Sequence, residues 1–181
     1  ESADVPYPAW GERVPDVSLP APVDGETVRL REVSTPSLLT FFYSHCNTVC
    51  PVLIGTMRNV QAHSIEEGYA DEVTFLPVTF DPERDDAERL RTYADQMNVA
   101  VDEGNWTFLR PESTERAKST VEEEFGVAFE RNHPEDMDSY MFTHSALTFL
   151  VNADGYIERA YRTKSPDPER LIGDLETVRG R

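Results

Sequence analysis

Two periodicities divide this chain. Between residues 49 and 67, Leu53, Ile54, Met57, Val60 and Ile65 recur at mostly three- and four-residue spacing, which predicts an amphipathic helix. Just before it, residues 37–43 form a continuous apolar run of strand length, the pattern of a central strand covered on both faces. Further strands are predicted over 71–80 and 106–109, and further helices over 85–98 and 113–125. Asp24-Gly25, set between 14–19 and 26–33, predicts an N-terminal β-hairpin, and Asp154-Gly155 predicts a second one between 141–151 and 156–161. A last helix is predicted over 168–178, with Pro168 in its first turn.

Strands alternating with helices argue for an α/β sheet with helices on its faces. The order of hairpin, strand, helix, strand, helix, hairpin and helix matches a thioredoxin-like three-layer sandwich with an N-terminal β-hairpin extension. The Pro-rich residues 1–12 read as an extended arm, and 13–181 as a single thioredoxin-like domain. Fold of this kind serves many activities, so function has to be argued from a site.

Charge narrows the partners. The 34 acidic residues against 17 basic ones give a formal net charge of −17, which argues against binding a phosphate backbone and so against nucleic acid. Only Lys118 and Lys164 are lysines; the other basic residues are arginines. An acidic, lysine-poor surface suits a halophilic protein, soluble where concentrated salt screens self-repulsion within a few ångströms. No stretch approaches the roughly 20 apolar residues of a membrane-spanning helix. The chain opens on Glu1-Ser2-Ala3 with no initiator Met and no apolar signal core, which leaves room for an upstream anchor.

The two cysteines of the chain fall in Phe41-Phe42-Tyr43-Ser44-His45-Cys46-Asn47-Thr48-Val49-Cys50-Pro51, where a buried strand meets a helix. The carboxyl end of such a strand lines the crevice in which α/β proteins bind ligands, and the N-terminus of the helix favours a thiolate over a thiol. A three-residue separation brings both sulfurs to one side of a loop or first turn, close enough to share a metal ion or to oxidise to a disulfide. Two thiolates form a soft ligand set that favours Cu(I) or Zn(II). A structural zinc site asks for four protein ligands, and no second cysteine pair exists. A purely stabilising disulfide closing so short a loop would remove little chain entropy.

At these residues the sequence resembles the SCO/SenC family of copper chaperones, whose hallmark is a strand followed by Cys-x-x-x-Cys-Pro, here Cys46 to Pro51. Val78-Thr79-Phe80-Asp81-Pro82-Glu83-Arg84-Asp85 is similar to the family's Asp-Pro-Glu-Arg-Asp segment, and Tyr140-Met141-Phe142-Thr143-His144-Ser145 to its Tyr-x-x-x-His-Ser segment. The three blocks stand in the family's order. The resemblance implies a thioredoxin-like protein, often membrane-tethered on the extracytoplasmic side, that supplies copper to the dinuclear copper site of a terminal oxidase or reduces that site's cysteines. It implies Cys46 and Cys50 as sulfur ligands and redox cysteines, and His144 as the histidine ligand. Asn47 stands where many members carry Pro, and Thr143 where many carry an acidic residue before the histidine.

Of the four histidines, His144 directly precedes the apolar run 146–151, whose entry faces the cysteine loop in thioredoxin-like folds. Two thiolates and one imidazole suit Cu(I), and Cu(II) if further ligands join. His45 is expected to end a strand with its ring on the face opposite the thiol; His63 and His133 have no evident partner, and Met137 and Met141 read as packing. Asp81 is placed on the rim of the cysteine loop, where it can orient Arg84 or a partner, or serve turn and helix-capping chemistry, as can Asp85 or Asp86. Asn105-Trp106-Thr107 fits the glycosylation triplet. The alternative to a chaperone is an enzyme, a thiol-disulfide oxidoreductase in which one cysteine attacks a partner disulfide and the other resolves it. Dedicated oxidoreductases of this fold space their cysteines by two residues and place a proline before the facing strand. Here the spacing is three, and the equivalent stretch is His144-Ser145-Ala146. A peroxidase would need one activated thiol beside an Arg and a hydroxyl, which the cysteine loop does not clearly supply.

Overall fold

The computed structural model describes residues 5–180; the first four residues of the expected arm lie outside them. The strands are β1 (Ser18–Ala21), β2 (Glu26–Arg29), β3 (Ser37–Phe42), β4 (Thr74–Thr79), β5 (Phe129–Asn132), β6 (Met141–His144), β7 (Thr148–Val151) and β8 (Ile157–Tyr161). The helices are α1 (Cys50–Glu66), α2 (Ala87–Gln96), α3 (Thr114–Ala117), which runs on as a π-helix over Lys118–Glu124, and α4 (Pro168–Arg179).

The main sheet has the order β4-β3-β7-β8, with β3 parallel to β4 and antiparallel to β7. Every residue of β3 is buried, as its unbroken apolar run requires of an inner strand. Phe42 stacks on Tyr93 of α2 at 5.5 Å, while Phe41, pointing to the opposite face, meets Phe125 beyond the π-helix and Phe149 of β7. Helices thus cover both faces of the sheet, and α1 packs with α4. This is the thioredoxin-like sandwich, and β1–β2 is the N-terminal hairpin expected around Asp24-Gly25. Ahead of that hairpin the Gly11 and Val14 amides bond to Ile157 and Gly155, and Tyr7 packs on Phe149.

Three local expectations need correction. Residues 106–109 were expected as a strand, but they touch β4 only through two separate parallel bridges, Phe75 to Trp106 and Val78 to Leu109. The cause is Pro77: Phe75 and Thr79 donate to Asn105 and Leu109, whereas Pro77 between them has no N–H to continue the ladder. The run 141–151, expected as one strand, breaks at residues 145–147 into β6 and β7, which belong to different sheets. β6 pairs with β5, a strand unpredicted because its sequence Phe-Glu-Arg-Asn offers a single apolar position. Finally, Asn105 is 3% exposed, with its amide donating to Ser64 Oγ and its carbonyl accepting from Gln61, so it knits α1 to the loop rather than offering a glycosylation site.

Candidate metal centre

The centre lies where β3 delivers the chain into α1. The strand ends at Phe42, and residues 43–49 form an irregular loop closed by a hydrogen bond from the Cys46 amide to Tyr43 O, 3.2 Å. Pro51 occupies the first turn of α1, where a missing N–H costs nothing, and Cys50 opens the helix. The Cys50 amide points at Cys46 Sγ, 3.4 Å away, and Thr48 Oγ1 lies 3.6 Å from the same sulfur. Both cysteines are free thiols and both are buried, Cys46 at 5% and Cys50 at 0% exposure.

His144 arrives from β6. Its Nε2 is 3.6 Å from Cys50 Sγ, and the two sulfurs and one ring nitrogen all lie within 4.8 Å of one another. The other ring nitrogen, Nδ1, is 2.9 Å from Ser145 O. A carbonyl oxygen only accepts, so Nδ1 carries the proton of that bond and the Nε2 lone pair faces the sulfurs. The structure therefore brings together the three residues singled out from the sequence.

The two thiols are not equivalent. Hydrogen bonding from the Cys50 thiol, helped by the Cys50 and Thr48 amides, holds Cys46 far below the ordinary cysteine range, although burial opposes this. Cys50 moves up, because it donates to Cys46, is desolvated and faces a neighbouring thiolate. Tyr43, whose hydroxyl accepts from the Phe142 amide, is pushed up to about 12, first by burial and then by both cysteines.

Behind the loop is a buried polar hub of which the sequence marked only Asp85, as the end of the Asp-Pro-Glu-Arg-Asp segment and as a possible cap. Asp85 is fully buried and accepts from the Ser44 amide at 3.0 Å, from Thr79 Oγ1 at 2.6 Å and from Ser44 Oγ. Arg89 grips the same serine, donating to Ser44 Oγ at 2.8 Å and Ser44 O at 3.0 Å. Ser44 is two residues from Cys46, so this hub fixes the approach to the first sulfur. The helix cap itself is Asp86, which accepts from the Arg89 amide.

The imidazole has its own frame. Phe80 packs 5.0 Å from the His144 ring, 5.4 Å from Tyr43, 5.3 Å from Phe142 and 4.9 Å from Phe129. Tyr140 anchors the start of β6: its hydroxyl donates to Asp81 at 2.8 Å, and its ring lies between Arg84 and Arg131 at 3.7 and 4.1 Å. Asp81 does orient Arg84, by a 2.6 Å bond, as one sequence reading held. Tyr140 carried a signal in its motif; Phe80 looked like any strand-end aromatic.

His45 does not end a strand. It sits in the loop beyond β3, exposed, with Nδ1 3.3 Å from Ser44 Oγ, and its pKa is lowered by partial burial and by Arg84 and Arg89. His45, Asp81 and Asp85 also approach within 4.8 Å. Their carboxylate oxygens are already taken by Arg84, Tyr140, Ser44 and Thr79, so this cluster is structural.

A family model described as SCO1/SenC matches residues 23–179. The chain belongs to the SCO1/SenC family. A SCO2-like protein of Rickettsia conorii is 29% identical over 134 residues, covering 72% of this chain and 60% of that protein, so the match spans about three fifths of the relative's length. Among solved structures, copper-bound ScoI of Bradyrhizobium japonicum superposes with a TM-score of 0.72 at 22% identity, covering 94% of this chain and 99% of that one. BsSco, a member of the Sco family of cytochrome c oxidase assembly proteins in which a disulfide switch was identified, gives 0.72 at 21% identity over 98% and 99%. At these identities the structural likeness is one of fold. No helix among the described residues is long and apolar enough to cross a membrane.

Proposed function

We propose that this SCO1/SenC protein is a copper chaperone whose cargo is held by Cys46 Sγ, Cys50 Sγ and His144 Nε2. The observation that carries the reading is the convergence of two soft sulfurs and an imidazole nitrogen from segments 94 residues apart. Three donors of this softness suit Cu(I), and Cu(II) with a further ligand. Loading displaces the Cys50 thiol proton, and unloading proceeds by exchange of these ligands for those of an acceptor. The partial exposure of His144, beside the nearly sealed sulfurs, makes the imidazole the side from which an acceptor approaches. By family resemblance that acceptor is the copper-site subunit of a terminal oxidase, and the place of work is extracytoplasmic, with a membrane tether. The resemblance and the copper-bound relative support this reading.

Titration of the reduced protein with copper is expected to give one tight equivalent. In His144→Ala the affinity falls by more than about a hundredfold, since loss of a ligand exceeds the 10–100-fold typical of outer-shell changes. Unchanged affinity in that variant would remove the histidine from the centre.

A second reading has its own support in the unequal thiols. Cys46 is a ready nucleophile and Cys50 a protonated reserve, the division of labour of a thiol-disulfide oxidoreductase acting on partner cysteines. The Cys46 thiolate attacks a partner disulfide and expels one partner thiolate; Cys50, on losing its single proton, then attacks the Cys46 sulfur and expels the second, so the pair becomes one disulfide as the partner is reduced to a dithiol. Turnover of a dithiol exchange reaction should survive His144→Ala, whereas copper binding should not.

The charge of −17 supports a halophilic protein. Denaturation midpoints are expected to rise steadily between about 0.1 and 3 M KCl as screening shortens; a midpoint independent of salt would remove the halophilic reading.

A further inference from the structure

Beside the metal centre, and sharing His144 with it, lies an open groove of about 450 Å³. Ala128 and Phe129 of the β5 segment give it an apolar lining, and Thr143, His144 and Ser145 form the wall it shares with the centre. Two acidic residues line it, Glu122 and Glu130, and among the described residues no lysine or arginine does. The nearest cation on the hairpin, Arg131, is committed elsewhere: it bonds to Glu83 at 3.2 Å and lies over the Tyr140 ring.

Glu122 is the unusual member. It belongs to the π-helix that continues α3, a geometry that recurs at functional sites. Its Oε2 is shielded from solvent and has no hydrogen-bond partner among the described residues. A carboxylate oxygen withdrawn from water without a donor costs free energy unless something supplies one.

We infer that this groove is the docking site for a partner segment that presents an arginine or lysine next to an apolar side chain, the cation seated on Glu122 and Glu130 and the apolar group on Ala128 and Phe129. The inference rests on the copper-chaperone reading for its purpose, because an acceptor bound there would lie against His144, the half-buried member of the centre. A shielded carboxylate keeps its attraction at salt concentrations that silence exposed charges, so the contact selects a partner even for a surface of this acidity. The apolar floor and the aligned charge give specificity together, where either alone would hold a partner loosely.

The test is an NMR titration of the ¹⁵N-labelled chain with the peptide amide acetyl-Leu-Arg-Leu-Arg-Leu and with its neutral counterpart acetyl-Leu-Gln-Leu-Gln-Leu. The cationic peptide is expected to give saturable shifts concentrated at the amides of residues 122, 128–130 and 143–145. The neutral peptide should bind at least tenfold more weakly. The double variant Glu122→Gln with Glu130→Gln should also lose at least tenfold, with its spectrum otherwise as well dispersed as that of the parent. Equal binding of both peptides, shifts scattered over the whole acidic surface, or binding indifferent to the double variant would overturn the inference. Copper titration of the same samples separates the two readings. Lost peptide binding with intact copper stoichiometry defeats only the groove, and intact peptide binding without copper defeats only the chaperone assignment.

Discussion

Asp85→Ala is expected to destabilise the protein by about 3–5 kcal/mol, the range for breaking a buried charged network by removing one partner. The substitution leaves the Ser44 amide, the Ser44 hydroxyl and the Thr79 hydroxyl without their acceptor inside the protein, and it strips Arg89 of the serine geometry that it grips. Asp85→Asn keeps one acceptor oxygen and should cost markedly less. The gap between wild type and Asp85→Asn should also depend on pH. Burial raises the Asp85 pKa in the folded protein despite its hydrogen bonds. The unfolded carboxyl therefore ionises first, at about pH 4, and wild-type stability declines from there until the folded group ionises as well. Asparagine has no such dependence, so its disadvantage is largest near pH 4 and smaller at pH 8. Urea denaturation at the two pH values measures both effects. Because Ser44 is only two residues from Cys46, copper affinity of Asp85→Ala should fall roughly 10–100-fold, as for other supporting residues of metal sites. A variant as stable as the parent would show that the hub has no structural role.

Phe80→Ala should be comparably damaging for a different reason. Phe80 is fully buried at the end of β4, and its ring touches Tyr43, Phe129, Phe142 and His144 at once. Truncation leaves a cavity that four aromatic neighbours can fill only by moving, at a cost of about 3–5 kcal/mol. For a domain of this size that corresponds to a melting temperature lower by roughly 6–20 °C. The β5–β6 hairpin is a separate two-stranded sheet, held to the body largely through this cluster and through Tyr140, so His144 loses its frame. Copper affinity should drop by at least about tenfold, with Phe80→Leu intermediate in both measures. Melting curves and copper titrations on the same preparations check the coupling; a large loss of stability with unaltered affinity would show that the imidazole is positioned by something else.

Much of the fold could be read from pattern alone. The inner position of β3 followed from six residues with no exposed polar alternation, and α1 from the spacing of Leu53, Ile54, Met57 and Val60. The breakdown at 106–109 had its signal in plain view, since Pro77 sits on the neighbouring strand, but its effect depends on which strand it faces. The short β5 strand had no usable signal: a four-residue segment with one apolar side chain is stabilised by its partner β6, not by its own sequence.

The sequence by itself determined the order of elements, the cysteine pair at the mouth of a buried strand, and the three motifs that mark the family, because periodicity and local spacing are properties of contiguous residues. The tertiary structure alone decided that His144 turns its free nitrogen onto Cys50, that Asp85 and Arg89 brace the loop through Ser44, and that Phe80 frames the imidazole. Those contacts join residues from 41 to 94 positions apart in the chain. Their geometry is set by how the sheets and helices pack, which no local pattern encodes.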